Sequence, residues 1–156
     1  MENCIFCKIV KGEIESYPIY EDKEFMAFLT PFPNTKGLTI VIPKEHKNSY
    51  IFSQEDKFYC KFLKIIKKVA KNLDKKLNVA RCALVFEGTG IDHLHAKLYP
   101  LHGKLAYQTN VWAKEKIFFE NYEGYISTQE GPEANKAELK ELAKKLSFKA
   151  KTPSKT

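Results

Sequence analysis

Apolar and polar positions alternate most clearly between Asp92 and Pro100, where Leu94, Ala96 and Leu98 separate His93, His95 and Lys97. A strand sends successive side chains to opposite faces, so this period of two predicts a strand with its apolar set in a core. Two imidazoles and an ammonium then line the other face. Such a row suits a phosphate or a metal better than bulk water.

The same patterning organises the rest of the chain. Ile5, Phe6, Ile9 and Val10 form a patch fitting one turn of helix before Gly12. Ile19-Tyr20 and Phe25–Leu29 read as strands on either side of the turn Glu21-Asp22-Lys23-Glu24. Two prolines and a glycine make Thr30–Gly37 a loop, and Leu38–Ile42 is a β-branched strand ended by Pro43. Phe58, Phe62, Ile65, Ile66, Val69 and Leu73 recur at helical spacing opposite lysines, which predicts a long helix covering a sheet. Ser53 is its expected cap, and Glu55 and Asp56 suit the positive end of its dipole. Val79–Phe86 is the next strand, and Glu87-Gly88-Thr89-Gly90 a tight loop into the histidine strand.

Past Pro100 the pattern is weaker. His102-Gly103 predicts a turn, residues 118–126 an aromatic hairpin or loop, and Gly131-Pro132 a break. A final amphipathic helix is expected over Ala134–Leu146, through Ala137, Leu139, Leu142 and Leu146, and a disordered basic tail over 149–156. Strands, a helix and further strands give an α+β class with an antiparallel sheet. One domain over residues 1–148 is expected, because 156 residues suffice for a single buried core.

Composition narrows the picture modestly. Apolar residues make up 44% and charged residues 29%, as in ordinary soluble domains. The net charge of +7 leaves nucleic-acid binding open on charge alone, but no basic-aromatic RNA motif accompanies it. No run approaches the roughly 20 apolar residues of a membrane span. Charge interrupts the first residues too early for a secretory signal, so the cytoplasm is the default location.

The chemistry gathers at two places. Two histidines at strand spacing behind a glycine loop favour function over a merely half-exposed strand. An imidazole can attack phosphorus, provided a carbonyl holds its second nitrogen. Cys4-Ile5-Phe6-Cys7 can offer two thiolates to zinc, with His46 and His93 as completing ligands, or can be two plain reduced cysteines. Cys60 and Cys82 read as small apolar residues.

The run Cys4-Ile5-Phe6-Cys7-Lys8-Ile9-Val10-Lys11-Gly12-Glu13-Ile14 resembles the start of histidine triad (HIT) proteins. Tyr20-Glu21-Asp22, Ala27-Phe28-Leu29, Val41–His46 and His93–Pro100 are similar to their later motifs, in the same order. The resemblance implies a five-stranded antiparallel sheet, usually in a homodimer, and chemistry at the α-phosphate of a nucleotide or nucleotide conjugate. Members hydrolyse dinucleoside polyphosphates or nucleoside phosphoramidates, or transfer nucleotidyl groups. It makes His95 the nucleophile and His93 its support. In zinc-containing members it implies the ligand set Cys4, Cys7, His46 and His93. The base pocket maps to Ile5, Phe6 and Phe28, with the following loop over the ribose.

Four departures qualify the resemblance. Lys97 stands where the triad has its third histidine, and an ammonium holds phosphate but exchanges protons poorly near neutrality. Thr30 replaces an aspartate that serves the ribose hydroxyls, and Phe32-Pro33 replaces Asn-Pro. Glu87-Gly88-Thr89-Gly90 replaces a glycine-rich run with glutamine and serine, which leaves open whether the Thr89 hydroxyl substitutes for the phosphate contact. The first expectation is thus a hydrolase or nucleotidyl transferase in which His95 attacks while Lys97 and Thr89 steady the oxygens. The second is a nucleotide sensor that lost catalysis with the third histidine. A zinc-stapled nucleic-acid binder comes third.

Overall fold

The computed structural model describes residues 3–103, 115–122, 124 and 137. Its elements are α1 (Ile5–Val10), β1 (Tyr17–Glu21), β2 (Phe25–Leu29), β3 (Thr39–Pro43), α2 (Asp56–Leu77), β4 (Cys82–Val85) and β5 (Ala96–Pro100). The strands form one five-stranded sheet in the order β1-β2-β3-β5-β4, and every neighbouring pair is antiparallel. The expected α+β class and antiparallel sheet are therefore present.

Both faces of the sheet centre are covered, which explains the unbroken apolar runs in β2 and β3. Phe25 and Ala27 of β2 and Val41 of β3 pack with Phe62, Ile66, Val69 and Leu73 of α2. Met26 and Phe28, with Ile40 and Ile42, pack instead with Phe6 and Ile9 of α1. Leu94, Ala96 and Leu98 join the α2 side. The period-two reading of the histidine segment holds for the side chains.

Several boundaries differ from expectation. The histidines stand just ahead of β5, because the Leu94 N–H donates to the Lys47 carbonyl at 2.8 Å, beyond the end of β3. Ser53 does not cap α2: it closes a 3₁₀ turn over Ile51–Ser53, its hydroxyl donating to the Tyr50 carbonyl at 2.8 Å. Glu55 takes the N-cap position, without a side-chain hydrogen bond. Val79 belongs to the turn that closes α2 and not to β4. Asn78 turns left-handed there (φ 51°), and the Val79 N–H reaches back to the Asp74 carbonyl at 3.0 Å.

The backbone divides into two compact units, Met1–Val111 and Trp112–Thr156. In the second unit the rings of Phe119 and Tyr122 stack at 5.4 Å. Most of the expected 118–126 segment past Tyr122, the Gly131-Pro132 break, the 134–146 helix apart from Ala137, and the 149–156 tail lie outside the described residues.

The turn between β1 and β2 shows how a polar residue sets register. The Asp22 carboxylate accepts from the N–H groups of Glu24 and Phe25, each at 2.8 Å, and from the Tyr20 hydroxyl. Burial alone would raise the Asp22 carboxyl, but these three donors outweigh it and hold it below its usual range. The folded value is thus depressed below the unfolded one of about 3.9, so the stabilisation is present above that pH. It is lost as pH falls through the folded value. Asp22→Ala should cost about 1–3 kcal/mol at neutral pH by urea denaturation. That deficit should shrink as the acid range is entered; a deficit constant with pH would contradict the assignment.

Candidate active site and metal-ligand cluster

His93 is fully buried and His95 is nearly so. Each is oriented by a backbone carbonyl, which can only accept a hydrogen bond. His93 Nε2–H donates to Pro43 at 2.9 Å, leaving the Nδ1 lone pair directed at the cysteines. His95 Nδ1–H donates to the carbonyl of His93 at 2.8 Å, leaving the lone pair on Nε2. Phe6 of α1 presses edge-on against both rings, at 5.7 and 5.4 Å. The two histidines, identical in sequence spacing, thus present opposite nitrogens to different partners.

The cysteine side of His93 closes a four-residue cluster. Cys4 Sγ lies 3.4 Å and Cys7 Sγ 3.5 Å from His93 Nδ1, and Cys7 Sγ lies 3.4 Å from His46 Nδ1. All four donor atoms fall within 4.8 Å of one another. A tetrahedral zinc with bonds of about 2.0–2.3 Å separates its donors by roughly 3.3–3.8 Å, so the set fits the ion. The chemistry agrees. Burial, aided by the neighbouring His46 and His95 rings, holds His93 below the ordinary histidine value despite its Pro43 bond, which favours the neutral, ligating form. The Pro43 carbonyl provides the outer hydrogen bond that ligating histidines use.

Cys60 and Cys82 lie apart from this cluster. Cys60, read as a small apolar residue, is exposed on α2. Burial, reinforced by Asp74, pushes the Cys82 thiol up to about 12, so it stays protonated as a packing group.

On the α1 face an apolar cavity of about 260 Å³ is lined by Ile5, Phe6, Phe28, Thr30, Ile40 and Ile91, among others. Four of the five residues expected to contact nucleotide meet there. Thr89 does not: it is exposed on the glycine loop, outside the cavity lining. The Thr30 hydroxyl accepts the Phe32 N–H at 3.2 Å, so part of its bonding capacity serves its own loop. Ile40 and Ile91 were missed by the pocket expectation. Ile40 was legible as an apolar strand position; Ile91 carried no signal.

Lys97 faces Val85 across the β4–β5 pair and Ile40 across β3–β5. Its ammonium donates to Glu87 at 2.6 Å. That pair was not anticipated, because ten residues and a strand turn separate its members. The loop carrying Glu87 is held in place: Ser49 Oγ donates to the Gly88 carbonyl at 3.0 Å and the Ser49 N–H to Asp92 at 2.9 Å. Gly88 and Gly90 have φ of 69° and 81°, a region that side chains resist.

A family model of the HIT domain matches residues 11–103. A HIT-like protein of Borreliella burgdorferi is 47% identical over 78 residues, covering 50% of this chain and 55% of its own. The chain therefore spans only about half the length of that relative. The adenosine 5′-monophosphoramidase of Schizosaccharomyces pombe is 37% identical over 103 residues, covering 63% of this chain and 74% of its own. Among solved structures, a HIT family protein from Bacillus anthracis superposes with TM-score 0.60 at 33% identity, covering 72% of this chain and 82% of its own. The chain belongs to the HIT family. Among the described residues, no helix is long and apolar enough to cross a membrane.

The donor set yields a direct test. Purified protein should carry about one zinc per chain, and Cys4→Ser/Cys7→Ser none, by elemental analysis. Chelation should lower the thermal midpoint, because the ion would tie α1 to the segment before β5. A metal-free wild type with an unchanged midpoint would return the cysteines to plain thiols.

Proposed function

We propose that the protein is a nucleotide-acting hydrolase or nucleotidyl transferase of the phosphoramidase or dinucleoside polyphosphate hydrolase type, working at the α-phosphate through His95. The observation that carries this reading is the 2.8 Å contact between His95 Nδ1 and the His93 carbonyl. The ring's Nδ1–H is committed to that carbonyl, so the Nε2 lone pair is available to phosphorus. The apolar cavity lined by Phe6 and Phe28 supports a base site, since Phe6 touches both that cavity and the His95 ring. The Schizosaccharomyces pombe relative's name, adenosine 5′-monophosphoramidase, supports the substrate class.

The steps balance without an outside oxidant or reductant. Nε2 forms a bond to phosphorus while the leaving group departs with the electron pair of its own bond. An amine leaving group also takes one proton from solvent. Water then attacks the nucleotidyl-histidine, the N–P bond breaks, Nε2 recovers its pair and the proton returns to solvent. In this reading Lys97 and Thr89 steady the oxygens, and zinc at Cys4, Cys7, His46 and His93 has a structural role. A homodimer belongs to the same reading, supported by the edge position of β4 and its exposed Leu84, and a cytoplasmic location is proposed with it.

One observation favours the second reading, a nucleotide sensor: the Lys97 ammonium is already engaged by Glu87. Turnover separates the two. Incubation with adenosine 5′-phosphoramidate should give adenylylated His95 by mass spectrometry. His95→Asn should cut turnover on the order of 10³-fold or more. Saturable nucleotide binding without adduct or turnover would establish the sensor instead.

A further inference from the structure

The Lys97–Glu87 pair bears on which leaving group the site accepts. Their side chains are only 28% and 22% exposed, so solvent screens the pair poorly. Lys97 follows His95 on the same face, since both alternate with Leu94, Ala96 and Leu98 of the opposite core. The influence of the pair extends along that face. Burial raises the Tyr99 phenol, and it feels Lys97 lowering and Glu87 raising it. Glu87 is no loose surface group, because Ser49 and the left-handed glycines hold its loop.

We propose that Glu87 is a specificity-determining residue that turns the site towards leaving groups departing as amines and away from those departing as polyanions. This rests on the reading of His95 as nucleophile. The carboxylate cancels the charge of Lys97, and His95 in its neutral, attacking form adds none. A polyphosphate leaving group carries several negative charges past Glu87 with no net positive field to receive it. The nitrogen of a phosphoramidate takes one proton from solvent before its P–N bond breaks, then departs with the electron pair of that bond as a neutral amine. It therefore carries positive charge as cleavage begins, and the carboxylate attracts that charge. Lys97 alone would reward the polyanion; Glu87 reverses that preference.

The test uses the full chain as wild type, Glu87→Gln, Glu87→Asp and His95→Asn. Two ratios are measured. One is kcat/KM for adenosine 5′-phosphoramidate over diadenosine tetraphosphate. The other is the calorimetric Kd for adenosine triphosphate against monophosphate, without divalent metal. Wild type should favour the phosphoramidate and bind the triphosphate no more tightly than the monophosphate. Glu87→Gln should shift both ratios towards the polyanion by about tenfold, the scale of one weakly screened charge contact. Glu87→Asp, which keeps the charge, should retain the wild-type ratios. Ratios unchanged within about twofold in Glu87→Gln overturn the proposal, as does an equal shift in Glu87→Asp, which would mean packing and not charge. Should Glu87→Gln not fold, wild type alone decides: triphosphate bound about tenfold more tightly than monophosphate overturns it. His95→Asn is read separately. Undiminished turnover there defeats the nucleophile reading, while the binding ratio still judges Glu87.

Discussion

Two hydrogen bonds from buried imidazoles to backbone carbonyls organise the site: His93 to Pro43, and His95 to His93. A carbonyl oxygen can only accept, so each bond places a proton and thereby aims the opposite lone pair. One lone pair is on Nδ1 of His93, which lies beside two sulfurs, and the other is on Nε2 of His95. Little else distinguishes two histidines spaced two apart on one face. The bonds depend in turn on the sheet. Pro43 ends β3 and the histidines precede β5, so the β3–β5 pairing brings that carbonyl to that ring.

Helix α1 ties the metal-ligand cluster to the apolar cavity. Six residues are too few for an isolated helix to persist in water. It is held by burying Phe6 and Ile9 against β2 and β3, and its sequence carries Cys7 at one turn from Cys4. Phe6 also walls the cavity and packs on both histidine rings. A cation bound by the two cysteines would therefore restrain the same residue that shapes the proposed base site. In the proposed reading, one aromatic ring would link the structural metal to the base site.

Much of this was legible in sequence, for a physical reason. Alternation in Leu94, Ala96 and Leu98 and helical spacing in Phe62, Ile66, Val69 and Leu73 report burial directly. The periodicity predicts a single core under the long helix; the second, beneath α1, comes from β2 and β3 being apolar on both faces, where no alternation assigns a side. Ser53, Val79 and the start of β5 were misread because local backbone bonds decide boundaries, and those involve Tyr50, Asp74 and Lys47, whose approach composition does not encode. The Lys97–Glu87 pair was invisible for a related reason. Strand register and a glycine turn create it, so Lys97 could be recognised as a departure from the triad while its partner could not.

The division of labour along the histidine row is tested most directly by a crystal structure of the protein with adenosine monophosphate. The account predicts the adenine in the cavity beside Phe6 and Phe28, and the phosphorus about 3–3.5 Å from His95 Nε2. His93 Nδ1 should remain turned to Cys4 and Cys7. A nucleotide bound elsewhere, or a phosphate approached by His93 while His95 faces away, would contradict it.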